Sequence, residues 1–154
     1  MDHADQHRPL VAYNALIAAF NGLAAAGLVA AHRSGRLPER FSARDLALAG
    51  AATYRLARLL ARDRVTSGLR APFTRFQDDA GHGEVDEAAR GRGLQRALGE
   101  LLVCPNCLSL WVAAGFTGGL VAAPRVTRTV AAGFTIEGIA DALQLAAAAA
   151  NQAV

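Results

Sequence analysis

An uncharged run of 22 residues, positions 10–31, constrains this chain more than any other feature of its sequence. About 20 apolar residues, rising 1.5 Å each, cross the roughly 30 Å hydrocarbon core of a bilayer. The preceding residues 1–5 are acidic, and the run exceeds the apolar core of a signal peptide, which is about 7–15 residues long. The run predicts a membrane-spanning helix, with a cleaved signal or a buried helix of a soluble protein as the alternatives.

A second apolar stretch, residues 46–61, contains Arg55 and Arg58. At about 100° per residue these arginines fall on one narrow stripe, and the other faces are apolar. Either the stretch spans the membrane with its arginines snorkelling toward one interface, or it lies along the membrane surface. We predict that it spans.

The third stretch, residues 108–123, carries no charge and is followed by Pro124, which ends the segment. Trp111 lies one turn inside the stretch, a position typical of an interfacial anchor. Gly115 and Gly119 have the spacing that lets two membrane helices approach closely. The stretch therefore predicts a spanning helix that self-associates, and we expect a homo-oligomer or a membrane protein partner.

The fourth stretch, residues 129–150, follows so short a connection that the last two stretches should form a helical hairpin. Glu137 and Asp141 lie four residues apart, so their carboxylates share one face. A polar face this narrow, in an otherwise apolar helix, should contact other helices rather than lipid. Together the stretches predict an all-α polytopic membrane bundle of four transmembrane helices with a C-terminal helical hairpin. A soluble, alanine-rich bundle is the alternative.

The long connection between the second and third stretches, residues 62–97, begins with basic and aromatic residues, among them Arg70 and Phe73. Such a segment is typical of a membrane interface. The rest of the connection is polar and contains several glycines, which predicts a solvated loop. We predict two parts: residues 1–44, with the first transmembrane helix and a basic connection, and residues 45–154, a membrane domain that includes this loop.

Arginine counts indicate how the chain is oriented. With four spans, eight arginines, including Arg8, lie on the side of the long connection and six lie on the other side. Arg55 and Arg58 join the first group when they snorkel toward that connection, and basic residues favour the cytoplasmic side. We expect a multi-pass protein of a bacterial cytoplasmic (inner) membrane, with the long connection, Cys104 and Cys107 at the cytoplasmic face.

Composition excludes several other classes of protein. Charged residues make up 19% of the chain, below the average of about 25%, which argues against a disordered protein. Two cysteines are too few for a disulfide scaffold. All 16 basic residues are arginines, but the net charge is only +3 and acids lie among them. We therefore expect a lipid bilayer, and no nucleic acid, as partner.

The short motif Cys-Pro-Asn-Cys at residues 104–107 has the clearest chemical content. Its two thiols are close enough to form a disulfide, and a helix N-terminus favours the thiolate of the first. One interpretation is a thiol–disulfide exchanger with Cys104 as nucleophile and Cys107 as resolving cysteine. A metal site needs more ligands, from His32 and His82 or from a second copy, and we expect no cofactor. The third interpretation is a structural pair at a tight helix start.

Charged residues inside the apolar stretches form a second candidate site. Unpaired charge in a membrane costs several kcal/mol, so the stripe of Arg55 and Arg58 should meet the stripe of Glu137 and Asp141. The functional interpretation is an ion or proton path through the acids. The structural interpretation, which we prefer, is an internal strut that fixes which helices pack together.

Several segments together resemble one family: residues 52–59 (ATYRLARL), 70–73 (RAPF), 99–107 (GELLVCPNC) and Trp111. They are similar to small bacterial membrane proteins catalogued as domain of unknown function 1360, some of them labelled as sporulation proteins. The resemblance extends over about residues 45–150 and leaves the first stretch outside. Ser109 stands where the family tends to have glycine.

The resemblance implies membrane residence and functional weight on Arg55, Arg58, Cys104 and Cys107, and it implies no known activity. We predict a small integral membrane protein of uncharacterised function that acts as a non-enzymatic scaffold or partner-binding subunit. A membrane thiol–disulfide oxidoreductase that uses the cysteine pair is one alternative. A small ion or proton conductor is the other.

Overall fold

The computed structural model describes residues 9–152, so Arg8, the acidic residues 1–5 and residues 153–154 lie outside it. The described chain is mostly helical and contains one β-hairpin. The helices are α1 Leu10–Arg33, α2 Ala43–Arg62, α3 Ser67–Arg70, α4 Gly93–Leu102, α5 Pro105–Ala122 and α6 Pro124–Gln152, and the strands are β1 Thr74–Gly81 and β2 Glu84–Ala89. One turn of 3-10 helix, Arg64–Thr66, precedes α3.

Three of these helices are long and apolar enough to cross a membrane: α1, α5 and, as far as Asn151, α6. Of the most apolar 18 residues of each helix, only 0%, 11% and 6% respectively are buried inside the chain. Apolar side chains that a chain leaves uncovered are typical of a surface that another apolar phase covers. The first, third and fourth predicted stretches therefore form helices suited to spanning a bilayer.

Helix α2 is not among these candidate spans, and four transmembrane helices are thus not confirmed. The helix has five charged residues among its 20, and they make it amphipathic rather than uniformly apolar: Arg44, Asp45, Arg55, Arg58 and Arg62. Its packed face is mixed, since both Ala52 and Arg55 are buried.

Residues 62–97 do not form the predicted loop, and the fold is therefore not all-α. Strands β1 and β2 pair antiparallel within this segment. Their connection needs left-handed backbone, with φ of 79° at Gly81, 50° at His82 and 80° at Gly83. Glycine adopts this conformation without steric cost, and such residues favour tight hairpin turns. The glycines that predicted a flexible loop thus form a hairpin turn.

The chain divides into two compact units. The hairpin unit consists of the described residues 9–28 together with residues 58–108, and it contains both strands and α4. The helix unit consists of residues 29–57 and the described residues 109–152, and it contains most of α2, α5 and α6. The division predicted after residue 44 stays a prediction.

Each unit has its own core. In the helix unit, three helices contribute one buried residue each: Ala52 of α2, Phe116 of α5 and Ala131 of α6. In the hairpin unit, Val85 and Ala97 are buried. The alanines at positions 52 and 131 leave room for α2 and α6 to approach closely, which positions the polar contacts described next.

Candidate functional site

Helices α2 and α6 are joined by three polar contacts within the helix unit. Arg128 donates to both carboxylate oxygens of Asp45, at 2.8 and 2.9 Å. The Thr135 hydroxyl donates to the Leu48 carbonyl at 3.1 Å. The third contact is the ion pair of Arg55 with Glu137. Because the contacting positions ascend along both helices, α2 and α6 run in the same direction.

Arg55 and Glu137 form the most buried charged contact between these helices. Both carboxylate oxygens of Glu137 accept hydrogen bonds from the Arg55 guanidinium, one of them from Nη2 at 2.6 Å. The Arg55 side chain is only 8% exposed, whereas that of Glu137 is 44% exposed. Gly138 makes the approach possible, because a Cβ there would lie 3.3 Å from Cβ of Arg55. The predicted arginine and acid stripes thus meet at this pair.

Arg58 binds a partner that the sequence did not indicate. Its Nε and Nη2 atoms donate to the two carboxylate oxygens of Glu84, at 2.6 and 2.9 Å. Glu84 begins β2, inside the segment predicted as a solvated loop. Arg62 forms an ion pair with Asp86 of the same strand. Asp141, the other acid predicted to meet the arginines, lies half-buried on α6.

Arg70 is the largest fully buried side chain of the described chain, at 1% exposure. Its guanidinium donates to both carboxylate oxygens of Glu87, at 2.9 and 3.1 Å. It also donates to the Leu60 carbonyl at 2.8 Å and to the Thr66 hydroxyl at 2.6 Å. These internal acceptors draw the Arg70 guanidinium inward, and the predicted place of this residue at a membrane interface stays a prediction.

The charge of Glu87 is stabilised by the same cluster. Burial raises the pKa of Glu87, but hydrogen bonds from Arg70, Thr74 and Ser67 lower it by more. The net pKa lies below the ordinary value of a glutamate. Glu87 therefore stays ionised beside Arg70, and the pair closes the base of the hairpin.

Phe73 and Trp111, the other two predicted interface residues, are both half-buried. The carbonyl of Phe73 accepts the backbone N–H of Arg90 at 2.9 Å, so this residue helps to close the hairpin. Trp111 lies in the first turns of α5. Neither position tests the predicted contact with lipid.

Cys104 and Cys107 form a disulfide at the start of α5, with their Cα atoms 5.3 Å apart. The backbone N–H of Cys107 donates to Sγ of Cys104 at 3.2 Å. Pro105 is the first residue of the helix, where a missing N–H costs nothing. Cys107 is exposed and Cys104 is half-buried. Among the described residues, no three His, Cys, Asp or Glu side chains converge on a position for a metal ion.

The two glycines predicted for self-association have different surroundings. A Cβ at Gly119 would lie 2.6 Å from the Thr127 hydroxyl oxygen, so this glycine serves the close packing of α5 on α6. Gly115 has open space beside it. It lines an apolar groove of about 310 Å³ together with Leu56, Val112, Phe116, Val126, Thr127 and Val130. Only Gly115 is therefore free for contact with another helix.

Sequence reasoning missed several residues that join helices. Asp45 follows Ser42 by three residues, which in the sequence has the pattern of an ordinary helix cap. In the structure its backbone N–H does donate to the Ser42 hydroxyl, at 3.0 Å. In the hairpin unit, Glu100 accepts hydrogen bonds from Tyr13 of α1 and, at 3.0 Å, from Arg96. No local pattern predicts a contact between residues 87 positions apart.

The family described as "Protein of unknown function (DUF1360)" matches residues 48–147. The chain belongs to the DUF1360 family. The match includes the hairpin, α4, α5 and most of α2 and α6, and it leaves α1 outside, as the resemblance implied. No curated protein and no solved structure matches the chain. Arg55, Arg70, Glu137 and both cysteines lie within the DUF1360 match.

Proposed function

We propose that this protein is an integral membrane protein that acts as a non-enzymatic scaffold or partner-binding subunit. The observation that carries the proposal is the closed pairing of charge between α2 and α6. A path for ions or protons needs carboxylates that can exchange their partners, whereas both oxygens of Glu137 are held by Arg55. This pair suits a strut that fixes two helices in one register.

Membrane embedding is supported by the surface that the spans leave uncovered. Leu23, Ile136 and Leu143 are each about two-thirds exposed, at 68%, 68% and 65%. Apolar side chains of this size, exposed on the long helices α1 and α6, are stable where lipid covers them. We place the protein in the cytoplasmic membrane of a bacterium on the strength of this surface and of its DUF1360 resemblance.

The orientation proposed puts the hairpin and the cysteine pair at the cytoplasmic face. Seven arginines lie in residues 62–96, and basic residues beside spans favour the cytoplasmic side. Helix α2 runs in the same direction as α6, so we propose that it accompanies α6 within the membrane. Its buried Arg55 is neutralised there by Glu137.

The partner surface proposed is the groove around Gly115. It is apolar, it opens beside a residue without a side chain, and α5 is a candidate span. These are the properties of a site where a second membrane helix packs closely. The occupant is a second copy of the chain or another membrane protein.

Photo-crosslinking in cells tests this proposal. A photoreactive amino acid at Gly115 of the full chain should give a discrete protein adduct. The same amino acid at Leu110, about 140° away around α5, should give none. The Cys104→Ser/Cys107→Ser variant should keep the adduct, because a scaffold does not need the disulfide. No discrete adduct at Gly115, or an adduct lost with the cysteines, would contradict the proposal.

Proton flux in proteoliposomes separates the scaffold from a conductor. The scaffold proposal predicts that vesicles containing the full chain pass protons no faster than empty vesicles. A flux that Glu137→Gln and Asp141→Asn abolish would establish conduction instead.

The second candidate function, a thiol–disulfide oxidoreductase, is favoured by one observation: the disulfide lies at a helix N-terminus with Cys107 exposed. A substrate thiolate would attack Sγ of Cys107, and the bond to Cys104 would break. Cys104 would leave as a thiolate stabilised by the Cys107 N–H and by α5. A second substrate thiolate would then attack the substrate sulfur of the mixed disulfide, and Cys107 would leave as a thiolate. The substrate is thereby oxidised to a disulfide, and the cysteine pair is reduced to two thiols. A separate disulfide donor would then reoxidise the pair.

This candidate exchanges the roles predicted from the sequence, because Cys107 becomes the cysteine that bonds to substrate and Cys104 the one that resolves. Trapping tests it. A Cys104→Ser variant of an oxidoreductase should accumulate mixed disulfides through Cys107, and a Cys107→Ser variant should accumulate far fewer. The scaffold proposal predicts that neither variant accumulates them.

A further inference from the structure

Residues 64–70, between α2 and β1, form a helical segment whose polarity is inverted. The side chains that face inward are polar: Thr66 is 7% exposed and Arg70 is 1% exposed. Two large apolar side chains face outward, beside the exposed Arg64: Val65 is 84% exposed and Leu69 is 71% exposed. Val65 and Leu69 lie four residues apart and so share one face of the segment. We call Val65 and Leu69 the outward face.

The inward polar groups are fully satisfied by the fold. The Thr66 hydroxyl donates to the Leu59 carbonyl at 2.6 Å, and Arg70 is bound to Glu87, Leu60 and Thr66 as described above. The segment therefore holds its shape through polar contacts and does not use its apolar residues for its own core. In water, a segment of this kind would bury Val65 and Leu69 and expose Arg70 as it does Arg64.

The position of the segment along the chain indicates what covers the outward face. Arg55 of α2 pairs with Glu137, which lies inside the candidate span of α6. Helix α2 continues for seven residues beyond Arg55 and ends at Arg62, a rise of about 10 Å. The hydrocarbon core of a bilayer is about 30 Å thick. Along the chain, the segment thus begins nine residues after an arginine that pairs inside a candidate span.

The charges around the outward face fit the same boundary. Arg64 precedes Val65; its side chain is 61% exposed and forms an ion pair with the equally exposed Asp79, and the exposed Arg75 follows in β1. Arginines beside exposed apolar residues are typical of segments that lie in the plane of an anionic membrane surface, where they meet lipid phosphates. Both the apolar and the basic side chains are therefore suited to one partner.

We propose that residues 64–70 are an in-plane membrane anchor, in which Val65 and Leu69 insert into the upper acyl region of the bilayer. The proposal rests on the membrane embedding given under Proposed function. It adds to the candidate spans a further surface that contacts lipid, and it commits to lipid rather than to a protein partner.

Single-tryptophan fluorescence of the full chain in lipid vesicles tests the anchor. The chain has one tryptophan, Trp111, so Trp111→Phe gives a silent background for Leu69→Trp. A second reporter, Val65→Trp, guards against a variant that fails to fold. The controls are native Trp111, in a candidate span, and Gln77→Trp, at an exposed position of β1. Each is quenched separately by lipids brominated near the headgroup end of the acyl chain and by acrylamide in water.

The anchor predicts that lipid bromines quench the tryptophans at positions 65 and 69 several-fold more strongly than the one at position 77. Acrylamide should show the reverse order. Quenching of positions 65 and 69 by acrylamide alone, with Trp111 quenched by lipid, would overturn the anchor and leave the membrane proposal standing. Protection of both positions from both quenchers would overturn it in favour of a protein cover. Failure of lipid to quench Trp111 would overturn both proposals.

Discussion

At the residue scale, one guanidinium joins three segments of the hairpin unit. Arg70 of α3 donates to the carbonyl of Leu60 in α2, to Thr66 in the 3-10 turn and to Glu87 in β2. A buried arginine is stable only when its donors are bonded and its charge is paired. Both conditions hold here, so the hairpin depends on Arg70 more than on any apolar contact of comparable size.

Replacing Arg70 should therefore unfold the hairpin locally. In Arg70→Ala, Glu87 stays buried without its partner, which we expect to cost about 3–5 kcal/mol. The measurement is the free energy of opening of β1 and β2, from hydrogen exchange of their amides in detergent. Arg75→Ala, at an exposed position of β1, should change it by less than about 0.5 kcal/mol. Equal effects of the two variants would contradict the role given to Arg70.

The pKa of Glu87 predicts how the hairpin responds to acid. Because this pKa is lower in the folded chain than its ordinary value, ionised Glu87 stabilises the hairpin at every pH above the ordinary value. That contribution is lost as the pH falls from the ordinary value through the folded one. Hydrogen exchange of β1 and β2 should therefore show weaker protection in this acidic range. In Glu87→Gln the protection of β1 and β2 should not fall in this way with pH. Equal acid sensitivity of the native chain and Glu87→Gln would rule out the role given to ionised Glu87.

The burial of Arg70 could not be predicted from its neighbours. A basic residue beside Pro72 and Phe73 has the pattern of an interfacial segment, whereas the structure buries the Arg70 side chain almost completely. What draws Arg70 inward is Glu87, 17 positions later, and backbone carbonyls that no sequence pattern displays. The cysteine pair, by contrast, was predictable, because its spacing is local.

At the scale of the elements, the helix unit is held by two parallel helices with matched polar positions. Asp45 and Arg55 of α2 meet Arg128 and Glu137 of α6 in the same order. Each pair is bidentate, so the two pairs together fix both the direction and the register of α2 and α6. Gly138 adds the close approach that brings the second pair into contact.

A double-mutant cycle tests whether the pair of Arg55 and Glu137 acts as a strut. Arg55→Met alone leaves a carboxylate uncompensated in a membrane helix, which we expect to cost about 2.5–3.5 kcal/mol. Adding Glu137→Met should recover most of this loss, because two apolar residues replace a pair at little net cost. Unfolding in detergent is the measurement, with Arg44→Ala, at an exposed position of α2, as control. Additive losses in the double variant would contradict a direct pair.

The packing of α4 on the hairpin gives a second test at this scale. A Cβ at Gly99 would overlap the Phe73 carbonyl oxygen and lie 2.9 Å from Cβ of Ala89. We expect Gly99→Ala to destabilise the hairpin unit by about 1–3 kcal/mol, since backbone must move. Gly68→Ala is the matched control, because a Cβ at Gly68 meets nothing within 4 Å. Equal stability of the two variants, by hydrogen exchange of α4, would show that α4 is not packed this closely.

The apolar helices were predictable and the hairpin was not, for a physical reason. Helices α1, α5 and α6 follow from runs of apolar residues, which need no partner to be recognised. Strand β1 buries only Thr74 and exposes its other seven residues. It therefore lacks the alternation of apolar and polar residues that predicts a half-buried strand. Its partners are arginines and acids far along the chain, such as Arg58 with Glu84.

At the scale of the whole molecule, the described chain combines three candidate membrane spans with a β-hairpin that ion pairs join to α2. The ion pairs of Asp45 and Arg55 join α2 to α6, and the candidate spans leave apolar surface uncovered that we propose is covered by lipid. The DUF1360 family match covers the hairpin and most of α2 and α6.

The proposed orientation predicts where thiols can be labelled. A membrane-impermeant maleimide should label Cys104 and Cys107 only after cell lysis. Because the cytoplasm is reducing, we expect the disulfide of the pair to be open there, so that labelling needs no added reductant. Gln77→Cys, in a chain with both native cysteines changed to serine, is the matched reporter of the hairpin and should behave alike. The opposite result is labelling of Gln77→Cys in intact cells, with the native pair labelled in intact cells only after reduction. That result would reverse the orientation and favour the oxidoreductase.

The central claim is that α1, α5 and α6 cross a bilayer, and alkaline carbonate extraction of membranes from cells that make the full chain tests it most directly. Carbonate at high pH strips proteins held by charge or by other proteins, whereas spanning helices stay with the lipid. The account predicts that the chain remains in the membrane pellet and is released only by detergent. Quantitative release into the carbonate supernatant would contradict it, and the apolar helices would then belong to a bundle that packs on itself.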